Sequence, residues 1–162
     1  MAFYVAVHGE TGKGPDSQQT RLTPRGIEYA NELADKFKRC GLIFSTVYTA
    51  PEEPAREAAR SIAKHLQLPP PIDEAALAQR GEGESDKAMI NRMRPFVEGL
   101  PDENVILVVG VTEENDVDVQ CMLDAAWYGY GKERPRASEL LFPASPVDDN
   151  WVWVLHHADD RY

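Results

Sequence analysis

Val105-Ile106-Leu107-Val108-Val109 is an unbroken run of five apolar residues, rich in β-branched side chains. A run of this kind cannot alternate between core and solvent. It is expected to be a strand covered on both faces, the pattern of a parallel sheet packed beneath helices. Phe3-Tyr4-Val5-Ala6-Val7 repeats the pattern near the N-terminus, and a shorter strand is expected over about residues 45–49. Between these runs lie helical periodicities. Thr23 supplies an N-cap and Pro24 the first helical position, where its missing N–H costs nothing. Ile27, Ala30, Leu33 and Phe37 form one apolar stripe that ends near Cys40-Gly41. A second helix carries Ala55, Ala58, Ala59, Ile62, Ala63 and Leu66 inward, and Pro69-Pro70-Pro71 stops it and feeds a brief extended piece. Met89, Met93, Phe96 and Val97 mark a third helix ending at Gly99, and a fourth is expected over about 115–127. Closing strands are expected near 139–142 and 151–156. The stretch from Gly9 to Leu22, with Gly12, Gly14 and Pro15, reads as a polar loop.

Strand and helix in alternation predict an α/β fold: a three-layer α/β/α sandwich with a mostly parallel central sheet. At 162 residues and 43% hydrophobic, the chain is long enough for a single domain over 1–162 with a real core. Its 27 acidic residues outweigh 17 basic ones, for a net charge of −10. That balance argues against nonspecific nucleic-acid binding, which runs on clustered Lys and Arg neutralising phosphates. No stretch is long and apolar enough for a membrane span or has the layout of a signal peptide. Cys40 and Cys121 lack any paired spacing and read as thiols of a cytoplasmic protein.

His8 sits at the C-terminal tip of the first expected strand and is followed by Gly9-Glu10-Thr11. Open α/β sheets bind their ligands at that edge. Four stretches, in this order, resemble the histidine phosphatase (phosphoglycerate mutase-like) superfamily, nearest to its short bacterial phosphohistidine phosphatases. They are the strand with His8-Gly9-Glu10, the helix opening Leu22-Thr23-Pro24-Arg25-Gly26, Thr49-Ala50-Pro51 before an Ala-rich helix, and the strand 105–109 before Gly110. The resemblance implies a phosphoglycerate mutase-like fold and a chemistry in which one histidine attacks a phosphoryl group and becomes phosphohistidine. Two arginines and a second histidine then neutralise the equatorial oxygens, and an acidic residue protonates the leaving oxygen. Carried over, His8 is the nucleophile, with Gly9, Glu10 and Arg21 around a ligand and Glu82 or Glu84 as the acid. At the positions of the first arginine, the second arginine and the second histidine stand Val7, Pro54 and Val111. Arg56, two positions beyond Pro54, is turned by about 200° on a helix and should point away from the site. Lys13 and Arg21 lie in the first loop and could reach inward.

Glu52 and Glu53 at the start of the second helix, with Glu113, Glu114 and Asp116 at the start of the fourth, are expected to share the His8 edge with Glu10. Helix N-termini favour carboxylates, so ordinary capping accounts for them. They also occupy the ends a phosphate would use. Other patterns carry less. Gly9-Glu10-Thr11-Gly12-Lys13-Gly14 fails the spacing of a nucleotide loop and runs into Pro15. His156 and His157, adjacent on a strand, should face opposite ways and not share a metal. A metal held by His8, Glu10 and Glu113 or Asp116 has no ligand spacing behind it, so no metal or other cofactor is expected. His65 reads as a partly exposed surface residue. Trp127-Tyr128-Gly129-Tyr130 reads as packing under a loop or as an anchor for a protein contact. The resulting expectation is a phosphatase-fold protein that has lost catalysis and binds a small anion or a protein partner. The alternatives are an active phosphatase using His8 and a metal-dependent or purely structural use of the acidic edge.

Overall fold

The computed structural model describes residues 2–8, 11–13, 20–39, 41, 43–101, 103–109 and 152–156. Its elements in chain order are β1 (Ala2–Val7), β2 (Thr11–Lys13), β3 (Thr20–Leu22), α1 (Pro24–Arg39), β4 (Thr46–Thr49), α2 (Glu53–His65), β5 (Ile72–Asp73), α3 (Asp86–Glu98), β6 (Val105–Val109) and β7 (Val152–His156). A single 3-10 turn, Ala75–Leu77, lies between β5 and α3. Among the described residues five strands form the central sheet, in the order β5-β4-β6-β1-β7. β6 pairs in parallel with β1 on one side and β4 on the other, β5 is parallel to β4, and β7 runs antiparallel to β1.

The apolar run at 105–109 is the centre of this sheet, and all five side chains are buried. Register shows what covers each face. Tyr4, Ile106 and Val47 lie in one row across the sheet, and Val5, Leu107 and Tyr48 in the next. Successive rows face opposite sides. The Tyr4 ring stands edge-on to Phe37 of α1 at 5.9 Å and to Phe44 at 5.1 Å, and those two rings meet at 4.9 Å. The Tyr48 ring meets Phe96 of α3 at 5.2 Å. Helices α1 and α3 therefore cover opposite faces, and α2 packs beside α1. This is the three-layer α/β/α sandwich with a mostly parallel sheet.

Local signals account for the helix ends. The Thr23 hydroxyl accepts from the Gly26 N–H at 3.1 Å, as an N-cap should. Ser85 does the same for α3, accepting from Ala88 N–H at 3.1 Å. At the C-terminus of α2 the Leu68 N–H reaches Ala63 O at 2.8 Å and the Gln67 N–H reaches Lys64 O at 3.1 Å, a Schellman arrangement. Gln67 therefore occupies the left-handed region at φ 56°, where glycine is the unstrained residue.

Two expectations are corrected. Ile27 is 38% exposed, because α1 turns Gly26, Ala30, Leu33, Ala34 and Phe37 inward and leaves Ile27 at the margin of that stripe. The stretch read as a loop from Gly9 to Leu22 contains a two-stranded antiparallel hairpin, β2 with β3, with Thr11 opposite Leu22 and Lys13 opposite Thr20. Its short strands carry too few apolar residues to show a periodicity. The expected helix at 115–127, the strand at 139–142, Cys40 and Cys121 lie outside the described residues. Among the described residues no helix is long and apolar enough to cross a membrane.

Replacing Gln67 with glycine should remove the left-handed strain and stabilise the protein by about 0.5–1 kcal/mol. Urea unfolding followed by circular dichroism checks this as a raised midpoint at unchanged slope.

Candidate functional site

The C-terminal ends of β1, β6 and β4 build one edge. Immediately after β1, the His8 N–H bonds to Val109 O at 3.4 Å, and immediately after β4 the Ala50 N–H bonds to Val108 O at 2.8 Å. His8 and the Ala50–Glu53 turn thus flank the end of β6, separated by about two strand spacings, or 10 Å. The His8 side chain is 6% exposed, and Thr49 beside Ala50 is buried. Between β1 and α1 in the chain come β2 and β3, and β3 packs against α2 and α1.

Pro54 lies buried in the first turn of α2. It offers neither a charge nor an N–H to an anion at that helix end. Arg56 turns to the outer strand, its Nη2 2.8 Å from Asp73 and its Nη1 3.9 Å from Glu53. Asp73 ends β5, three strands from β1, or about 14 Å across the sheet. Arg60 meets Glu53 at 2.6 Å. Arg21 donates through Nε to Glu57 Oε1 at 3.2 Å, and that carboxylate raises the guanidinium above its ordinary pKa. Each of these guanidiniums is held by a carboxylate of its own fold.

The acidic residues divide by environment. Glu82 is exposed in the turn before α3. Glu84 is gripped by Arg92, with Nε to Oε2 at 3.0 Å and Nη2 to Oε1 at 2.9 Å, and it also accepts from Gly81 N–H at 3.1 Å. The Arg92 bonds, followed by that of Gly81, hold its carboxyl below the usual range despite partial desolvation. A general acid needs the opposite shift. Arg92 also donates to Ala76 O at 2.7 Å and Ala78 O at 3.1 Å, which ties the 3-10 turn to α3. Glu52 occupies the N-cap of α2 but makes no cap bond. Its Oε1 accepts from Gln79 N–H at 2.5 Å, while Oε2 is buried without a hydrogen-bond partner. Simple capping therefore does not explain Glu52, and Glu53 is explained by its ion pairs with Arg56 and Arg60.

Other candidates lie elsewhere. His156 pairs with Ala2 in the ladder, at the opposite end of β1 from His8 and about 20 Å away along the strand. His65 Nε2 meets Asp35 Oδ1 at 2.5 Å and links α2 to α1, and this bond holds the Asp35 carboxyl below its ordinary value. The Val7 backbone pairs with Val109. Gly9, Glu10, Val111, Glu113, Glu114, Asp116, His157 and 127–130 lie outside the described residues. Among the described residues no three His, Cys, Asp or Glu side chains are grouped to hold a metal. Glu57, Arg92 and Gln79 were not visible as functional positions in the sequence. Their partners lie 14 to 36 residues away, beyond any local pattern, apart from the Arg92–Glu84 pair eight residues apart.

A family model described as the histidine phosphatase superfamily (branch 1) matches residues 3–78. Solved structures agree with it. The protein histidine phosphatase SixA complexed with tungstate superposes with a TM-score of 0.55 at 15% identity, covering 75% of this chain and 74% of that one. The chain has the histidine phosphatase fold. A mycobacterial glucosyl-3-phosphoglycerate phosphatase gives a TM-score of 0.58 at 15% identity, over 80% of this chain and 83% of that one. The alpha-ribazole phosphatase from Shigella flexneri gives 0.54 at 21% identity, over 68% and 74%. No curated protein sequence matches the chain. The resemblance of His8, Leu22–Gly26 and Thr49–Pro51 to this superfamily thus stands within the matched residues, on the phosphoglycerate mutase-like architecture.

The lowered carboxyls of Glu84 and Asp35 set a pH dependence. Both have folded pKa values below their unfolded ones, so their contribution to stability is complete above the ordinary carboxylate range of about 4 and is lost as pH falls through the folded values. Unfolding midpoints measured from pH 7 to pH 3 should fall at the acid end. Arg92→Met should flatten the Glu84 part of that fall while lowering stability at neutral pH.

Proposed function

We propose that this histidine-phosphatase-fold protein has lost efficient phosphoryl transfer and acts by binding a small ligand or a protein partner at the His8 edge. The observation that carries the reading is Pro54. Its buried ring stands in the first turn of α2 at the position where the resemblance requires a phosphate-holding arginine. Arg56, the nearest cation along the chain, is bound to Asp73 on the outer strand. Phosphoryl transfer is nearly all positioning and charge stabilisation, and losing one transition-state guanidinium costs about a thousandfold or more in rate. Two further features support the same reading. Glu52 and Glu53 put negative charge where a helix N-terminus would otherwise attract an anion. Glu84, which neighbours the exposed Glu82, is committed to Arg92 and held ionised, and so is unsuited to protonate a leaving oxygen.

The protein assayed with p-nitrophenyl phosphate and with phosphohistidine should show turnover no different from that of His8→Ala. Turnover in the native chain that disappears in His8→Ala would overturn the reading in favour of an active phosphatase with His8 as nucleophile.

A further inference from the structure

Arg92 of α3 and Glu52 at the start of α2 belong to different helical layers, yet a chain of hydrogen bonds joins them near the C-terminal end of β4. The link is the segment that follows β5. It begins where the Glu74 N–H bonds to Thr49 O at 2.9 Å, and it forms the 3-10 turn Ala75–Leu77, which packs against β6 and α3 with Leu77 buried. The Glu74 carboxylate closes the start of that turn, accepting from Ala76 N–H at 3.2 Å. The last carbonyls of a helical turn have no partner within it. Arg92 satisfies them. Its Nη1 donates to Ala76 O at 2.7 Å and its Nη2 to Ala78 O at 3.1 Å, while Nε and Nη2 grip Glu84. The next residue, Gln79, donates its N–H to Glu52 Oε1 at 2.5 Å.

Glu52 is not held by its own helix. Its side chain makes no cap bond, and its Oε2 is buried without a hydrogen-bond partner. An unpaired buried oxygen costs stability, so the carboxylate keeps this place only because its other oxygen is anchored from outside α2. The anchor, Gln79 N–H, is presented by a turn whose end is fixed by Arg92. We propose that Arg92 is a positioning residue for the His8 edge: by holding the carbonyls of Ala76 and Ala78 it aims the Gln79 N–H at Glu52 and so sets that carboxylate at the start of α2. What this does for a ligand rests on the proposed function. The relay itself is read without ligand or turnover, so the two can fail separately.

NMR of the Gln79 amide in the full chain tests it. An N–H bonded to a carboxylate shifts as that carboxylate titrates, so the Gln79 resonance should move between pH 7 and pH 3, and the movement should vanish in Glu52→Gln. Arg92→Met removes the guanidinium, and Arg92→Lys keeps the charge but loses the fork. In both, the movement should fall by about half or more, and the Gln79 amide should exchange about tenfold faster. The amides of 46–49 and 105–109 should keep native protection. Glu84→Gln leaves Arg92 its bonds to Ala76 and Ala78 and should keep the native movement. An unchanged Gln79 profile in either Arg92 variant would overturn the proposal, as would movement that persists in Glu52→Gln. So would equal acceleration across the central sheet, or a loss in Glu84→Gln as full as that in Arg92→Met.

Discussion

The parallel pairing of β6 with β1 and β4 is the constraint on which the rest of the molecule depends. Because 105–109 is apolar at every position, the strand needs cover on both faces, and α1 and α3 supply it through Phe37 against Tyr4 and Phe96 against Tyr48. The same pairing fixes register. Val109 O receives the His8 N–H and Val108 O receives the Ala50 N–H, so two chain segments more than 40 residues apart in sequence meet at one edge. A slip of one residue in either ladder would exchange the buried faces and separate them. The core and the candidate site are thus consequences of one set of hydrogen bonds.

At that edge the scaffold and its electrostatics point in different directions. The geometry is that of a fold whose relatives include enzymes acting on phosphates, with a histidine at the strand tip and a helix N-terminus beyond the neighbouring strand. Among the described residues the charges near that edge are carboxylates or guanidiniums already paired with carboxylates. Glu52 and Glu53 stand at the start of α2, and Arg21, Arg56 and Arg60 are each drawn sideways into ion pairs with Glu57, Asp73 and Glu53. A guanidinium already neutralised by a carboxylate has little to offer a second one without breaking the first pair. The proposed separation of fold from activity follows because the fold rests on apolar strands and phosphoryl transfer on a few cations.

Features governed by local pattern were legible in the sequence. The strand at 105–109, the Thr23-Pro24 helix start and the alanine face of α2 follow from periodicity and capping alone. Ile27 reads as inward-facing because it sits three residues before Ala30. The stripe centres on Ala30, Leu33, Ala34 and Phe37 with Gly26, which leaves Ile27 at its margin. The hairpin was hidden because Gly12 and Pro15 read as loop punctuation, and its anchor lies on another element, at Glu57. At the site, the roles given to His8 and Pro54 are what the family resemblance implies. The commitment of Arg56 to Asp73, of Arg92 to Glu84 and of Glu52 to Gln79 was not legible, since each partner is set by tertiary packing.

We propose that the His8 edge has lost the tight oxyanion hold that phosphoryl transfer needs. The most direct measurement is a titration of the protein with tungstate, following the His8 imidazole resonances by NMR against His8→Ala. No saturable His8 shift is expected at millimolar tungstate. A saturable shift centred on His8 at lower concentration, absent from the variant, would show that other groups hold the anion there and would contradict the proposal.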